Sequence, residues 1–328
     1  MTGQGAPVAD ARRRRATSAD VAREAGVSRA TVSYVLNEVP NRSIAPATRA
    51  LVLDVANRLG HVPRASARAL RLGSTNLVLA LVRDFTFGHI ADQMLEGLDV
   101  ELARRGYVLL VYRYTENVRQ LADLWRMVDP AVVVLMGGLA PPDASSAPGL
   151  SGKIIATDDV IDHRRSGEIQ AEYLASRGHR QLGYAYPVAP GIQHIAQERL
   201  RGTRAACARL SLPEPVVIDV DLQDADSARA ALGRWRQVSP DVTAVCAHND
   251  ELAVVLLLAM YAEGIGKRDP AVMGFDDIPL AQLGITTVAI DVAQFTRRVI
   301  ERVTASLENR RPRTMRKPVL RLVIRDSA

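Results

Sequence analysis

The feature that most constrains the fold is a long alternation of apolar runs and amphipathic helical patterns over residues 75–328. Short runs with the composition of buried strands lie at 77–82, 107–112, 131–136, 153–156, 181–186, 216–220, 243–247, 271–274, 287–290 and 320–324. Helical patterns lie between most of them, near 89–105, 117–128, 166–177, 197–210, 226–238, 249–263 and 293–309. Strands that alternate with helices build parallel sheets covered by helices. The pattern therefore predicts an α/β domain with two such sheets.

The N-terminal quarter has a different pattern. Thr17, with an acidic residue three positions later, predicts a capping box at the start of a helix. Gly26 permits a tight turn after that helix, and Ser28 is a suitable cap for a second helix. Pro46 suits the first position of a third helix. Two short helices around a glycine turn, closed by a third, are typical of a helix-turn-helix, although many three-helix modules do not bind DNA.

Positive charge is concentrated in this N-terminal part of the chain. The first 73 residues hold twelve Arg and no Lys against five acidic residues, whereas the rest of the chain is almost neutral. A compact basic module on a neutral body indicates a polyanionic partner for the module alone. Residues 1–14 are interpreted as a flexible basic tail, and the four consecutive arginines at 12–15 lie where it ends. That tail fits a solubilising role as well as a DNA-binding one.

The run TSADVAREAGVSRATVSYVLN at residues 17–37 resembles the DNA-binding signature of the LacI/GalR family of bacterial repressors. The resemblance implies that the second helix lies in the major groove, with base contacts from Arg29, Ala30 and Tyr34. Arg29 suits a bidentate contact to guanine, with a phosphate contact as the alternative. The other polar positions are expected to cap helices or contact the DNA backbone, and they are Thr17, Ser28, Thr31, Ser33 and Asn37. One departure is Ala45, where the family usually has a capping Ser.

Residues 63–74 resemble the hinge helix of the same family, most closely at 67–70. The resemblance implies that this helix pairs with its two-fold mate and enters the minor groove, with Arg68 and Leu70 as DNA contacts. Leu70 would be the wedge between base pairs. The alternative is an ordinary linker helix that packs on the body.

The resemblance continues through the larger domain at 174–184, 199–202, 244–253, 272–280, 286–291 and 322–327. It implies an all-α helix-turn-helix domain at 15–62, the hinge, and a two-lobed periplasmic-binding-protein-like domain at 75–328 that the chain crosses three times. We expect lobe 1 to hold about 75–156 plus 290–328, and lobe 2 about 157–289. The family also implies a homodimer that binds double-stranded DNA at a palindromic operator and responds to a small-molecule effector.

The family positions that hydrogen-bond the effector correspond to Arg199, Asn249 and Asp276. Asn249 and Asp276 each follow a predicted strand, where ligands of parallel sheets bind. The alternative for both residues is capping the next helix. Weaker candidates are Asp158, Asp159 and, on the first-lobe wall, Phe85 and Phe87. Aromatic residues make up only 4% of the chain, so no sugar-stacking platform is evident and the effector class, sugar or related metabolite, stays open.

Other classes of protein find little support in the sequence. Phosphate-cradling and dinucleotide motifs are absent, and the six His have no metal-ligand spacing, so we expect no enzyme, cofactor or metal. A transport binding protein would need a signal peptide and would lack the helix-turn-helix. No apolar region follows Met1, which predicts a cytoplasmic protein without a membrane span. Cys207 and Cys246 lie in apolar segments and are expected to be free thiols.

Overall fold

A computed structural model describes residues 16–36, 44–61, 75–83, 88–114, 124, 127–137, 139, 153–266 and 269–328. The chain divides into two compact units, Met1–Thr75 and Asn76–Ala328. The basic tail at 1–14 and the predicted hinge helix at 63–74 fall outside the described residues. Within the described ranges, no helix has the length and apolar character needed to cross a membrane.

The described residues of the first unit form α1 (Ser18–Glu24), α2 (Arg29–Leu36) and α3 (Pro46–Arg58). These helices enclose a small apolar core, and its buried members are Val21, Ala22, Ala25, Val32, Val35, Val52, Val55 and Ala56. Gly26 has a φ of 64°, the left-handed conformation that glycine adopts without strain, and it makes the turn between α1 and α2. The predicted helix-turn-helix with a closing third helix is therefore confirmed.

The capping box of α1 forms as predicted. The backbone N–H of Asp20 donates to Thr17 Oγ1 at 3.3 Å, and the backbone N–H of Thr17 donates to the Asp20 carboxylate at 2.9 Å. These bonds satisfy N–H groups that the first turn of a helix leaves without intrahelical partners. Hydrogen bonds from Thr17 also lower the pKa of Asp20 to about 2. By contrast, Ala45 precedes α3 without a side-chain capping bond among the described residues.

The second unit begins with a parallel sheet whose described strands have the order β2-β1-β3-β4. The strands are β1 (Leu77–Arg83), β2 (Val108–Tyr114), β3 (Val132–Met136) and β4 (Ile154–Ala156), with α4 (His89–Arg104) between β1 and β2. The central strand β3 is buried along its whole length, which explains its uninterrupted apolar sequence.

A second sheet of six described strands has the order β10-β9-β8-β7-β5-β6. Its helices are α5 (His163–Ser176), α6 (Gln193–Arg209), α7 (Ala225–Val238) and α8 (Asp250–Ala262). Its strands are β5 (Gln181–Pro187), β6 (Val216–Val220), β7 (Val242–Ala247), β8 (Ala271–Asp276), β9 (Thr286–Ile290) and β10 (Leu320–Val323). All strands of the two sheets were predicted from sequence, with each end within two residues of the observed one.

The chain passes between the two sheets three times, after β4, after β9 and before β10. After β9 it forms α9 (Val292–Leu307), which packs against α4 of the first lobe. The expectation that all of 290–328 belongs to lobe 1 is wrong, because β10 pairs antiparallel with β9 in the second sheet, with Leu322 opposite Val288. The physical reason is that β9 is buried along its length and cannot serve as an open sheet edge.

Helices α5 and α6 cross in direct backbone contact at two glycines. A Cβ atom on Gly167 would lie 1.9 Å from the carbonyl oxygen of Arg199, and one on Gly202 would lie 1.9 Å from that of Arg164. No side chain larger than hydrogen fits at either position. Gly202 therefore sets the distance between the helices and, through it, the position of Arg199 one turn earlier on α6.

Candidate ligand-binding cleft and DNA-binding helix

The N-terminal end of α2 presents the residues that sequence predicted to read DNA. Arg29 and Ala30 are exposed, whereas Tyr34 is half-buried. Ser28 Oγ accepts a hydrogen bond from the backbone N–H of Thr31 at 3.0 Å, and its hydroxyl lies 2.9 Å from that of Thr31. Ser28 thus caps α2, which matches the capping alternative stated for it. An exposed guanidinium at the start of a capped helix is suited to contact with base edges or phosphates.

The remaining predicted DNA contacts are distributed as follows. Thr17 caps α1, and Ser33 lies on α2, half-buried. Asn37, Arg68 and Leu70 fall outside the described residues. Their DNA-binding roles therefore stay predictions.

Arg199 and Asp276 are brought together in the second lobe. Arg199 is only 5% exposed, and its Nη2 lies 3.6 Å from Asp276 Oδ1. Arg199 Nη1 donates to the carbonyl oxygen of His248 at 2.5 Å, and its guanidinium carbon stands 3.7 Å from the centre of the Phe275 ring. Stacking and hydrogen bonding hold the guanidinium at the carboxyl ends of β7 and β8. This is the edge of a parallel sheet at which ligands bind.

Burial dominates the electrostatics of this pair. Burial raises the pKa of Asp276 to about 8, and the nearby Arg199 only partly opposes the shift. Burial also lowers the pKa of Arg199, against the attraction of Asp276. Burial deprives both charged groups of hydration, and their mutual attraction compensates this loss poorly when they stand further apart than a hydrogen bond. The pair is therefore prepared to interact with a polar group of a ligand.

The backbone around Asp276 is held in an unusual conformation. Asp276 and Asp277 have φ angles of 112° and 57°. The buried carboxylate of Asp250 fixes the segment, since it accepts hydrogen bonds from the Ile278 N–H at 2.9 Å and the Thr287 hydroxyl at 2.7 Å. Non-glycine residues with positive φ cluster at functional sites, where the surrounding structure holds them in place. Asp250 was not singled out from sequence, because only the fold brings Thr287 to it.

Asn249, the third predicted ligand residue, is the N-cap of α8. Its side-chain oxygen accepts a hydrogen bond from the backbone N–H of Leu252 at 3.1 Å. This is the capping alternative stated from sequence, and a ligand contact by Asn249 stays a prediction. The carboxylate of Asp276, which had the same alternative, contacts Arg199 instead.

Buried polar side chains that the sequence did not indicate surround Arg199. Among the described residues, His163 Nδ1, His248 Nδ1, Arg199 Nε, Gln170 Oε1 and Glu251 Oε2 are buried without a hydrogen-bond partner. Gln170 donates its amide to the carbonyl oxygens of Ala247 and Gly274, each at 2.9 Å, and so ties α5 to both strand ends. Buried polar atoms without partners are rare in folded proteins. Their concentration here indicates a site that a ligand or water completes. In sequence, the only signal was that His248 follows a strand.

A cavity of about 560 Å³ opens beside this cluster, at the ends of β3 and β4. Its lining is Leu139, Ala156, Asp158, Asp159, Ile161, Asp162, His163, Arg164, His194, Glu198 and Lys317. The wall includes the predicted Asp158 and Asp159 but neither Arg199 nor Asp276. His163 connects the two regions, because it lines the cavity and its pKa is lowered by burial and by the positive charge of Arg199. Phe85 and Phe87 fall outside the described residues.

Asp159 has a structural partner. Arg302 of α9 donates to both of its carboxylate oxygens, at 2.6 and 2.8 Å, and this hydrogen bonding lowers the pKa of Asp159. Arg302 also donates to the carbonyl oxygen of Ala156. The pair joins α9 to the segment that follows β4, so Asp159 is less available to a ligand than its position in the sequence suggested.

The described part of the chain contains no group of His, Cys, Asp and Glu side chains suited to hold a metal ion. Cys207 and Cys246 are both buried and free, as expected from their apolar surroundings, and burial raises the pKa of each thiol. The buried polar groups around Arg199 and Asp276 offer polar recognition of a ligand at the strand ends.

Comparison with known proteins agrees with this architecture. The family model described as bacterial regulatory proteins, lacI family, matches residues 17–64, and the periplasmic binding protein-like domain matches 171–328. The PurR transcriptional repressor of Vibrio cholerae serotype O1 (strain M66-2) is 29% identical over 288 residues, which cover 81% of this chain and 83% of that protein. The ribose operon repressor of Escherichia coli K12 is 29% identical over 299 residues, covering 81% and 84%.

Among solved structures, the lac repressor dimer bound to operator and the anti-inducer ONPF has a similar fold. It matches with a TM-score of 0.76 at 19% identity, over 96% of this chain and 99% of that one. A helix-turn-helix unit followed by a two-lobed α/β unit is the architecture of a bacterial transcriptional regulator. The chain thus combines a region similar to the lacI family of bacterial regulatory proteins, at residues 17–64, with a periplasmic binding protein-like region at residues 171–328.

Proposed function

We propose that the protein is a transcriptional repressor that binds a palindromic operator as a homodimer and is controlled by a small molecule bound between its lobes. The observation that carries this proposal is that one chain contains two features. The first is an exposed N-terminus of α2, and the second is a cluster of buried polar side chains, some without hydrogen-bond partners among the described residues, beside a cleft. Such a protein acts by binding and conformational change. Neither an enzymatic reaction nor a cofactor is needed for this function, and the place of action is the cytoplasm, where the DNA lies.

DNA recognition would rest on α2. Its first two residues, Arg29 and Ala30, are exposed, so both can reach base edges when the helix enters the major groove. Arg29 would bond the O6 and N7 atoms of a guanine, which contributes about 1–3 kcal/mol of discrimination. Ala30 offers only a methyl contact. Thr17 and Ser28 would position the helix through the caps that they form.

Dimerisation would use an apolar surface on the second lobe, the α8 face, formed by Leu258, Tyr261, Leu280 and Leu283. These side chains are 61%, 84%, 53% and 82% exposed, and an apolar cavity of about 250 Å³ lies among them. Exposed apolar patches of this kind mark protein interaction sites. The occupant is a second copy of the chain, because a palindromic site requires two recognition helices related by two-fold symmetry. The related lac repressor structure is described as a dimer bound to operator.

Sedimentation velocity tests the α8 face. We expect the wild-type protein to sediment as a dimer at micromolar concentration and Leu283→Asp to sediment as a monomer, since a carboxylate in an apolar interface would be desolvated without a partner. Val238→Asp is the matched control, because Val238 is also an exposed apolar residue, at 69%, but lies at the end of α7. A dimer that survives Leu283→Asp would refute the assignment of this face.

Ligand binding would couple to DNA through the relative position of the lobes. Arg199 and Asp276 would contact the ligand at the strand ends, and closure would change how the hinge segments at 63–74 pair on DNA. Leu70 of that segment would be the minor-groove wedge. The ligand acts as an inducer if closure separates the hinge segments and as a corepressor if it brings them together.

Selection of bound duplexes from a random DNA pool by the purified protein tests the proposed function. The selection is run with and without a small-molecule extract of bacterial cells. The proposal predicts an enriched palindrome with a flexible pyrimidine–purine step at its centre. Arg29→Ala should relax the preference at one base pair of each half-site. Absence of enrichment under both conditions would refute DNA-binding regulation.

A further inference from the structure

Two helix N-termini converge on the cleft cavity. The first residue of α5, His163, and the second residue of α6, His194, both line it. The N-terminus of each helix carries about half a positive charge, because its N–H groups point out of the helix in the same direction. The N-cap of α6 is Ile192, which makes no capping bond in the part of the chain that the structure describes, and the first turn of α6 contains no acidic residue. The carboxylate of Asp162 caps α5 by accepting a hydrogen bond from the Arg165 N–H at 3.2 Å, so the terminus of α6 is the one that most favours a negatively charged ligand group.

A second observation is independent of the helix termini. His163 is 7% exposed and lines the cavity, yet its Nδ1 has no hydrogen-bond partner among the described residues. Arg199, whose positive charge lowers the pKa of His163, does not line the cavity, but its buried Nε also has no partner in the part of the chain that the structure describes. Buried nitrogen atoms left unsatisfied beside a cavity are what an oxygen-rich ligand group would satisfy.

Protein cations engage three of the four acidic residues of the cavity wall, which weakens the repulsion of these three residues toward an anion. Asp159 is bonded to Arg302 at 2.6 and 2.8 Å. Asp162 caps α5 and lies 3.3 Å from Lys317 Nζ. Glu198 is paired with Arg201. The backbone carbonyl of the fourth acidic residue, Asp158, accepts a hydrogen bond from the His163 side chain.

We propose that the ligand of this cleft carries an anionic group, a carboxylate or a phosphate, which binds between the first turns of α5 and α6 against His163. The inference rests on the proposed function, since it names the chemical class of the ligand in the proposed effector site. The rest of the ligand would extend through the cavity, whose volume of about 560 Å³ suits a small metabolite.

Binding of the anion should be linked to proton uptake by His163. In the free protein, burial lowers the pKa of His163, and the positive charges of Arg199, His194 and Lys317 lower it further. His248, another buried imidazole, is coupled to it as well. An anion at this position favours the charged imidazolium, so anion affinity should rise as the pH falls from 8 to 6.

Thermal unfolding of the full-length protein in sulfate or acetate, with NaCl added to constant ionic strength, tests the proposal. Sulfate stands for a phosphate group and acetate for a carboxylate, and neither titrates between pH 6 and 8. We expect at least one of them to raise Tm more than NaCl does, with an apparent affinity that is several-fold higher at pH 6 than at pH 8. A stronger effect of sulfate would indicate a phosphate ester, and a stronger effect of acetate would indicate an acid.

Three variants connect the effect to the site. His163→Gln should abolish the anion-specific rise in Tm and its pH dependence, and His194→Gln, on an exposed position that tolerates substitution, should weaken both. His179→Gln is the control, because His179 lies beyond the opposite end of α5. The proposal would be overturned if neither anion raised the Tm of the wild-type protein more than NaCl does. It would also be overturned if the anion raised the Tm of the His163 and His194 variants as much as that of the wild type. Because DNA selection requires no anion, failure of this inference is distinguishable from failure of the regulator assignment.

Discussion

The glycine crossing of α5 and α6 leads to a prediction whose magnitude follows from the structure. A Cβ at Gly202 would lie 1.9 Å from the Arg164 carbonyl oxygen, whereas real Cβ atoms essentially never approach closer than 3.0 Å. Gly202→Ala therefore requires the helices to separate by about 1 Å or more, and overpacking of this kind costs roughly 1–3 kcal/mol or more. Arg199 lies on the same face of α6 one turn earlier, so its guanidinium should shift relative to Asp276 as well.

Gly233→Ala is a matched control for this change. Gly233 also lies inside a helix, α7, but a Cβ built on it meets no atom within 4 Å. The control should therefore stabilise the protein by about 0.5–1 kcal/mol through helix propensity and a less flexible unfolded chain. Urea unfolding followed by circular dichroism measures both variants. If Gly202→Ala were as stable as the wild-type protein, the argument that glycine fixes this helix crossing would be refuted.

Two further predictions concern the cap of α1 and a buried histidine. Thr17→Ala removes the capping box and should lower the stability of α1 by about 1 kcal/mol. Hydrogen exchange at the Asp20 and Val21 amides should then accelerate about fivefold. Unchanged protection of these amides would show that the capping box does not stabilise the helix. Burial lowers the pKa of His248 well below 6.5, so below pH 6.5 the unfolded chain binds a proton that the folded protein does not. The free energy of unfolding of wild type, measured relative to His248→Asn, should fall by about 1 kcal/mol as the pH drops from 6.5 to 5.5, because half of the unfolded chains are already protonated at pH 6.5. A pH-independent difference would contradict a buried neutral imidazole.

Much of the fold was predictable because local patterns and long-range packing agree. The inner strands β8 and β9 of the second sheet are buried on both faces, and their apolar runs marked them in the sequence. The capping box at Thr17 was predictable because it uses only residues three positions apart. The position of β10 was not, because its antiparallel pairing with β9 depends on a sheet edge that local sequence does not reveal.

The candidate site was only partly predictable for the same physical reason. Family positions pointed to Arg199 and Asp276, and the structure brings them within 3.6 Å. The buried histidines escaped notice, since His163 and His248 are distant in sequence and acquire their environment only when α5 packs on the strand ends. Asn249 presents the opposite case, because capping and ligand binding favour the same residue type at the same place.

The central claim is that occupancy of the cleft controls DNA binding, and one titration tests it most directly. The affinity of the protein for a selected palindromic duplex is measured by fluorescence anisotropy, with and without a small-molecule extract of bacterial cells, for wild type and Asp276→Asn. The account predicts that the extract changes wild-type affinity by about 5–150-fold, as is typical of allosteric coupling, and that Asp276→Asn binds the duplex but loses the response. An equal response in both proteins, or none in the wild type, would contradict control through this cleft.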